Sequence, residues 1–245
     1  MFYRIFFVLL LCHVANAQIA QNCLKESYDD ILHIDDLTIT FRDSTTLQWK
    51  DNSQKIYEEK LNNPFMSYSF DTKYPTQMSQ KPELDSSRIR DIKFFKKIYG
   101  TSKQSVENNL EKIKWIDESY VLFNTKNNAS EALKRVIHNL KTLKEENKKY
   151  LTNIGGTYKW RNIADSNNLS PHSFGIAIDI NVKYSRYWLW DIQTNNNKKI
   201  EQIPAQIVEI FENEGFIWGG KWWHYDTMHF EYRPEILCFS RHDDR

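Results

Sequence analysis

Ser170-Pro171-His172-Ser173-Phe174-Gly175-Ile176-Ala177-Ile178-Asp179 decides how this chain is read, because a turn, a strand and two candidate ligands are compressed into one short stretch. From Gly175 to Asn181 the residues alternate, with Ile176, Ile178 and Ile180 on one side and Ala177, Asp179 and Asn181 on the other. Side chains of a strand point to opposite faces in turn, so an isoleucine face packed on the core carries Asp179 to the other face, where a site can lie. Gly175 relaxes the backbone between His172 and Asp179. Further along, Asp226-Thr227-Met228-His229 adds a second imidazole and a second carboxylate. His172, Asp179 and His229 together are a donor set for one divalent metal with a coordination position left open, whereas structural zinc is usually closed by four ligands. Asp226 is then the spare carboxylate, available to move protons.

Working outward, Thr227–Tyr232 reads as a strand with Met228, Phe230 and Tyr232 on one face and His229 and Glu231 on the other. Phe216–Trp218 reads as its hairpin partner. Pro204–Glu214 is a short helix with Ile207, Ile210 and Phe211 as its packing face and Gly215 at its end. Ser130–Tyr150 carries the clearest helical stripe, Leu133, Val136/Ile137, Leu140 and Leu143, with Asn128 or Ser130 as cap and His138 on the wet side. The spacing also predicts helices over Arg88–Ile98, stopped by Gly100, and over Ser105–Ile113. Leu37–Phe41 alternates like a strand, and the rest of residues 24–87 reads as polar and irregular. Helices and strands segregate along the chain, and the last strands are hairpin-linked. The expected class is α+β, with a small antiparallel sheet carrying the site and helices flanking it.

The N-terminus has the pattern of an export signal: Arg4, an apolar run Ile5–Leu11, and small residues at Ala15-Asn16-Ala17. The run is too short to span a bilayer as a helix; a retained anchor is the competing reading. Cleavage after Ala17 removes one basic residue and leaves equal numbers of Lys/Arg and Asp/Glu. That balance argues against a general nucleic-acid binder, which shows a basic excess or stripe. The domain reading is a signal over 1–17, an N-terminal extension of unassigned role over 18–87, and a metal-site domain over 88–245 with its core at about 150–234. Cys23 and Cys238 remain after cleavage, one near each end. In an oxidising compartment they can form a single bridge, and the sequence equally admits two free thiols.

Ser-x-His-x-x-Gly-x-Ala-x-Asp at 170–179, followed by Asp-x-x-His at 226–229, resembles the zinc D-Ala-D-Ala carboxypeptidases and L-Ala-D-Glu endopeptidases, the VanY/VanX-like group, whose fold is shared with lysostaphin-type peptidases and the hedgehog domain. The resemblance implies that His172, Asp179 and His229 bind one zinc, and that Asp226, three residues before the last His, is the general base. Tyr158-Lys-Trp-Arg161 resembles the family segment whose Arg polarises the substrate carbonyl, which puts that role on Arg161. It also extends, more loosely, over Asp85-Ser-Ser-Arg-Ile-Arg90 and Phe94–Gly100.

On this reading the chain is an exported peptidase of peptidoglycan stem peptides, working by metal-activated water. Ser170 either orients His172, touches substrate or simply starts a turn. Glu231, on the face of His229, is an alternative base or a partner of a ligand His. His224 reads as a surface or substrate-contacting residue, and Trp222, Trp223 and Tyr225 as groove wall or core. A wall- or protein-binding module with a structural zinc site is the reading from a different class, and an amidase cutting the glycan–peptide junction is a third.

Overall fold

β6 (Ala177–Asp179) is the strand that the alternation predicts, and it is short. Its partner β8 (His229–Tyr232) lies at the centre of a three-stranded antiparallel sheet, between β6 and β7 (Phe216–Trp218). The register sets Asp179 directly opposite His229 and Ala177 opposite Glu231. Directly paired residues on one face have their Cβ atoms about 4.5–5.5 Å apart, so pairing alone brings two of the predicted ligands together. Ile176, Ile178 and Ile180 are fully buried. Ala177 and Asn181, on the side of Asp179, are buried too, whereas Asp179 itself is only partly buried.

The computed structural model describes residues 16–51, 53–164, 166–195 and 203–242. Arg4, the apolar run Ile5–Leu11 and Ala15 of the export pattern lie outside the described residues. Helix α1 covers residues 16–27 of the described chain. Residues 24–87 are more ordered than their polar composition predicts. They form a meander of β1 (Ile31–Ile34), β2 (Thr38–Phe41) and β3 (Thr46–Gln48), then α2 (Tyr57–Asn62) and several single turns of 3₁₀ helix. Among the described residues no helix is long and apolar enough to cross a membrane.

α3 (Ile92–Tyr99) starts at Asp91, whose side chain accepts hydrogen bonds from the Lys93 and Phe94 amides, and it ends at Gly100 with φ 137°. Ile89 is buried but precedes the helix, as the extended residue that ends a separate 3₁₀ turn, Ser86–Arg88. The predicted helix over Ser105–Ile113 is not formed. α4 (Lys103–Glu107) stops after one turn, and the chain enters β4 (Leu110–Lys114), paired antiparallel with β5 (Tyr120–Asn124) through Ile113↔Val121 and Lys112↔Leu122. The aromatic and β-branched partner strand, joined by an Asp117–Ser119 turn, rewards a ladder that a helix would forgo. The long helix also ends early. α5 (Ala129–Leu140) buries Leu133, Val136, Ile137 and Leu140 as predicted and leaves His138 exposed, but 145–150 is a 3₁₀ segment. At the break the Thr142 hydroxyl donates to the Asn139 carbonyl, and Leu143 is only partly buried. Neither predicted cap makes a side-chain capping bond to this helix: Asn128 occupies the N-cap in a left-handed conformation, and Ser130 is buried inside the first turn. α6 (Trp188–Gln193) lies beside the cleft, α7 (Ala205–Asn213) packs on the sheet, and α8 (Pro234–Arg241) closes the chain. Phe211 of α7 stacks on Phe230 of β8 with ring centroids 4.0 Å apart, a contact worth about 0.5–1.5 kcal/mol beyond its area burial.

One continuous apolar core runs from Ala20, Leu24 and Tyr28 through Phe95 and Phe174 to Phe230 and Phe239, so the N-terminal residues share the core of the site-bearing sheet. Cys23 and Cys238 are joined in a disulfide with Cα atoms 5.5 Å apart, closing a span of 215 residues. Replacing both with serine is expected to lower the unfolding free energy by about 2–5 kcal/mol, measured by urea titration against the oxidised protein. An unchanged midpoint would show that the clasp contributes nothing to stability.

Candidate metal centre and cleft

His172 sits in a 3₁₀ turn, Pro171–Phe174, whose N-cap is Ser170; the Ser170 hydroxyl oxygen accepts from the His172 amide at 3.4 Å. Ser170 is therefore the start of the turn that aims His172, and it also lines the cleft. Gly175 ends this turn at φ +64°, and a Cβ there would lie 2.5 Å from Leu110 Cδ2. Gly175→Ala is expected to cost about 1–2 kcal/mol for the left-handed backbone. Chemical denaturation reads the loss, and wild-type stability would contradict it.

The three predicted ligands converge. His172 Nε2 lies 3.2 Å from Asp179 Oδ1 and 3.2 Å from His229 Nδ1, and His229 Nδ1 lies 3.0 Å from Asp179 Oδ1. Each imidazole is anchored by its other nitrogen. His172 Nδ1 is 2.5 Å from the Thr157 carbonyl oxygen, which can only accept, so Nδ1 carries the proton and Nε2 keeps its lone pair. His229 Nε2 is 3.1 Å from Glu231 Oε2. Although burial opposes it, Arg90, His229 and Arg233 hold Glu231 far below the usual carboxylate range, so it too is an acceptor, and Nδ1 is the His229 nitrogen turned to the centre. Three potential ligand atoms thus face one another at contact distance. That is repulsive unless positive charge sits among them, and it is the donor set of a borderline divalent metal such as zinc. His229 shows the same demand for positive charge: burial lowers its pKa, but Asp179 and Glu231 outweigh that and raise it to about 9. The residues present fit a zinc ion.

Asp226 stands at the same cleft. Its amide donates to Gly219 O at 3.0 Å, and its carbonyl accepts from the His229 amide at 3.2 Å, so its backbone is tied to the last ligand. Gly219 permits this approach, since a Cβ there would sit 2.6 Å from Asp226 O. Asp226 Oδ1 is buried without a hydrogen-bond partner among the described residues. Burial is the first cause that lifts its pKa, to about 6, and Asp179 adds to it while the two histidines oppose it. Arg161 is exposed on the cleft wall; its amide donates to Ser173 Oγ and its carbonyl accepts from the Ser170 amide, so the ligand turn holds it.

The cleft has a volume of about 340 Å³. Sequence reasoning missed several of its walls. Tyr187, Trp188 and Trp190 come from α6 and the residue before it, and Arg88 and Arg90 come from the segment ahead of α3. Trp222 is buried and lines the cleft, whereas Trp223 is largely exposed. His224 stays out of the ligand group; its ring packs edge-on to Trp188 with centroids 4.6 Å apart, and its Nδ1 is 3.8 Å from Asp85 Oδ2. Glu231 faces away from the cleft opening, fully buried between two guanidinium groups and His229, which makes it a partner of the ligand and leaves Asp226 as the carboxylate on the open side. Thr157 acts through its backbone carbonyl, for which no residue-type signal exists.

Comparison with known proteins matches the segment that carries the three ligands and Asp226. Residues 164–232 match the profile of a family described as D-alanyl-D-alanine carboxypeptidase. Over 67 residues the chain is 34% identical to peptidoglycan L-alanyl-D-glutamate endopeptidase CwlK of Bacillus subtilis (strain 168), covering 26% of this chain and 40% of that protein. The chain thus spans about two fifths of the curated relative that it matches. No solved structure matches the chain.

Proposed function

We propose, from a segment that belongs with the VanY/VanX-like zinc peptidases, that this protein is an exported zinc peptidase cutting peptidoglycan stem peptides at a bond involving a D-amino acid. The observation that carries the reading is the meeting of His172 Nε2, Asp179 Oδ1 and His229 Nδ1 beside Asp226, whose Oδ1 has no hydrogen-bond partner among the described residues, in an open cleft. Export is inferred from the signal pattern at 1–17, and the Cys23–Cys238 bridge suits the same oxidising compartment.

Zinc held by His172, Asp179 and His229 supplies, when bound, a Lewis acid that polarises a carbonyl and brings the pKa of water toward neutrality. Asp226, ionised and without a protein donor on Oδ1, accepts the proton of the attacking water and passes it to the leaving amine nitrogen. Arg161 places positive charge on the cleft wall, where the scissile carbonyl oxygen gains negative charge. Ser170 keeps the His172 turn in register. Tyr187, Trp188 and Trp222 offer walls against which the peptide can lie.

The test is incubation of purified, zinc-loaded protein with disaccharide-linked and free stem peptides, with products read by mass spectrometry. Release of terminal D-Ala identifies a carboxypeptidase, and cleavage between L-Ala and D-Glu an endopeptidase. Cleavage at the glycan–peptide junction would replace this reading with an amidase. No cleavage from protein that retains its zinc would replace it with a binding module.

A further inference from the structure

The family-matched segment ends at residue 232, yet its last ligand is held by groups outside it. Glu231, which accepts from His229 Nε2, is fully buried. A buried carboxylate is stable only when its lone pairs are filled by donors. Here the donors are two guanidinium groups. Arg90 gives its Nε at 2.8 Å and its Nη2 at 2.7 Å to Glu231 Oε2, and the same Nε lies 3.1 Å from Oε1. Arg233 gives Nη1 to Oε1 at 3.0 Å. Arg233 is in turn fixed by Glu235 through a 2.5 Å bond from its Nε, and Glu235 Oε2 accepts from the Tyr28 hydroxyl at 2.8 Å. Arg90 is further pinned by its Nη1 bond to Arg88 O at 3.2 Å and by lying over the Trp222 ring, 5.2 Å from its centroid.

We infer that Arg90 is a positioning residue for the metal centre: its fork holds the Glu231 carboxylate in place, so that Glu231 fixes the tautomer and angle of His229. This rests on the zinc-peptidase reading of the site and assigns part of the region ahead of the matched segment a task within it. Arg90 suits that task through its shape as well as its charge. Its planar fork meets the carboxylate along one edge, while Glu231 still accepts from His229 and Arg233, an arrangement that a lysine ammonium cannot copy. The sequence that positions Arg90 is local: Ser86–Arg88 makes a 3₁₀ turn, and Asp91 caps α3, so the residue between the two is set by both. Partners that orient a ligand histidine typically account for 10–100-fold in metal affinity.

The experiment measures zinc affinity of the full chain by chelator competition, without substrate, together with the visible spectrum of the cobalt(II)-substituted protein. Arg90→Gln is expected to weaken zinc binding 10–100-fold and to alter the cobalt bands, while Arg90→Lys recovers part of the affinity and Trp223→Ala, at an exposed site, changes neither. Affinity of Arg90→Gln within twofold of wild type, with an unchanged cobalt spectrum, overturns the inference. Should Arg90→Gln not fold, Arg90→Lys decides alone: wild-type affinity and spectrum overturn the inference, and a weaker, altered site upholds it. Wild-type protein that binds no zinc at all defeats the underlying reading instead, so the two failures are distinct.

Discussion

Asp226→Ala is expected to keep its zinc and lose about 10²–10⁴-fold in kcat, the range for removing a general acid–base group. That corresponds to about 3–5 kcal/mol of transition-state stabilisation. The expectation follows from placement. Asp226 shares the cleft with the three ligands but is not one of the three converging atoms, and its Oδ1 has no protein partner to satisfy it. Asp226→Asn is the sharper variant, because it preserves shape and removes only the capacity to take a proton. Both should bind substrate nearly as well as wild type, so the loss falls in kcat more than in KM. Equal activity of the Asn variant would remove Asp226 from the chemistry. Loss of zinc in parallel with loss of activity would instead make Asp226 part of the metal shell.

His172→Ala is expected to abolish both zinc retention and cleavage. The substitution deletes Nε2 from a three-atom set and leaves the Thr157 carbonyl without its 2.5 Å partner. A lost ligand should exceed the 10–100-fold in affinity typical of an outer partner, so dialysis against a mild chelator should strip the variant and spare the wild type. His138→Ala is the matched control, since His138 is exposed on α5, and it should retain zinc and activity. Near-normal zinc content in His172→Ala would mean that the converging nitrogens are not the metal's true ligands.

The donor set was legible because it is written in residue types at close spacing. An alternating strand after a Ser-Pro-His turn states which face Asp179 takes, and the same period places His229 and Glu231 together on β8. The helical stripe of α5 and the stop at Gly100 were equally local. The failures also have a common cause. Leu110–Lys114 reads as the tail of a helix until a partner strand is present, and residues 141–150 keep helix-forming composition without the packing that would hold a helix there. Residues 24–49 lack a long apolar pattern, yet they pair into a meander because the core they cover is supplied by α3 and α8.

By itself, then, the chain's sequence determined the α+β class, the candidate ligands and the spare carboxylate, since these depend on side-chain chemistry and on periodicities of two and 3.6 residues. Only the tertiary structure decided which nitrogen each histidine presents, that Glu231 stands behind His229 while Asp226 faces the cleft, and that Cys23 meets Cys238. The first two outcomes turn on groups far away in the chain, a Thr157 carbonyl that accepts from His172 and an Arg90 guanidinium that donates to Glu231. Packing alone brings such groups within hydrogen-bonding distance.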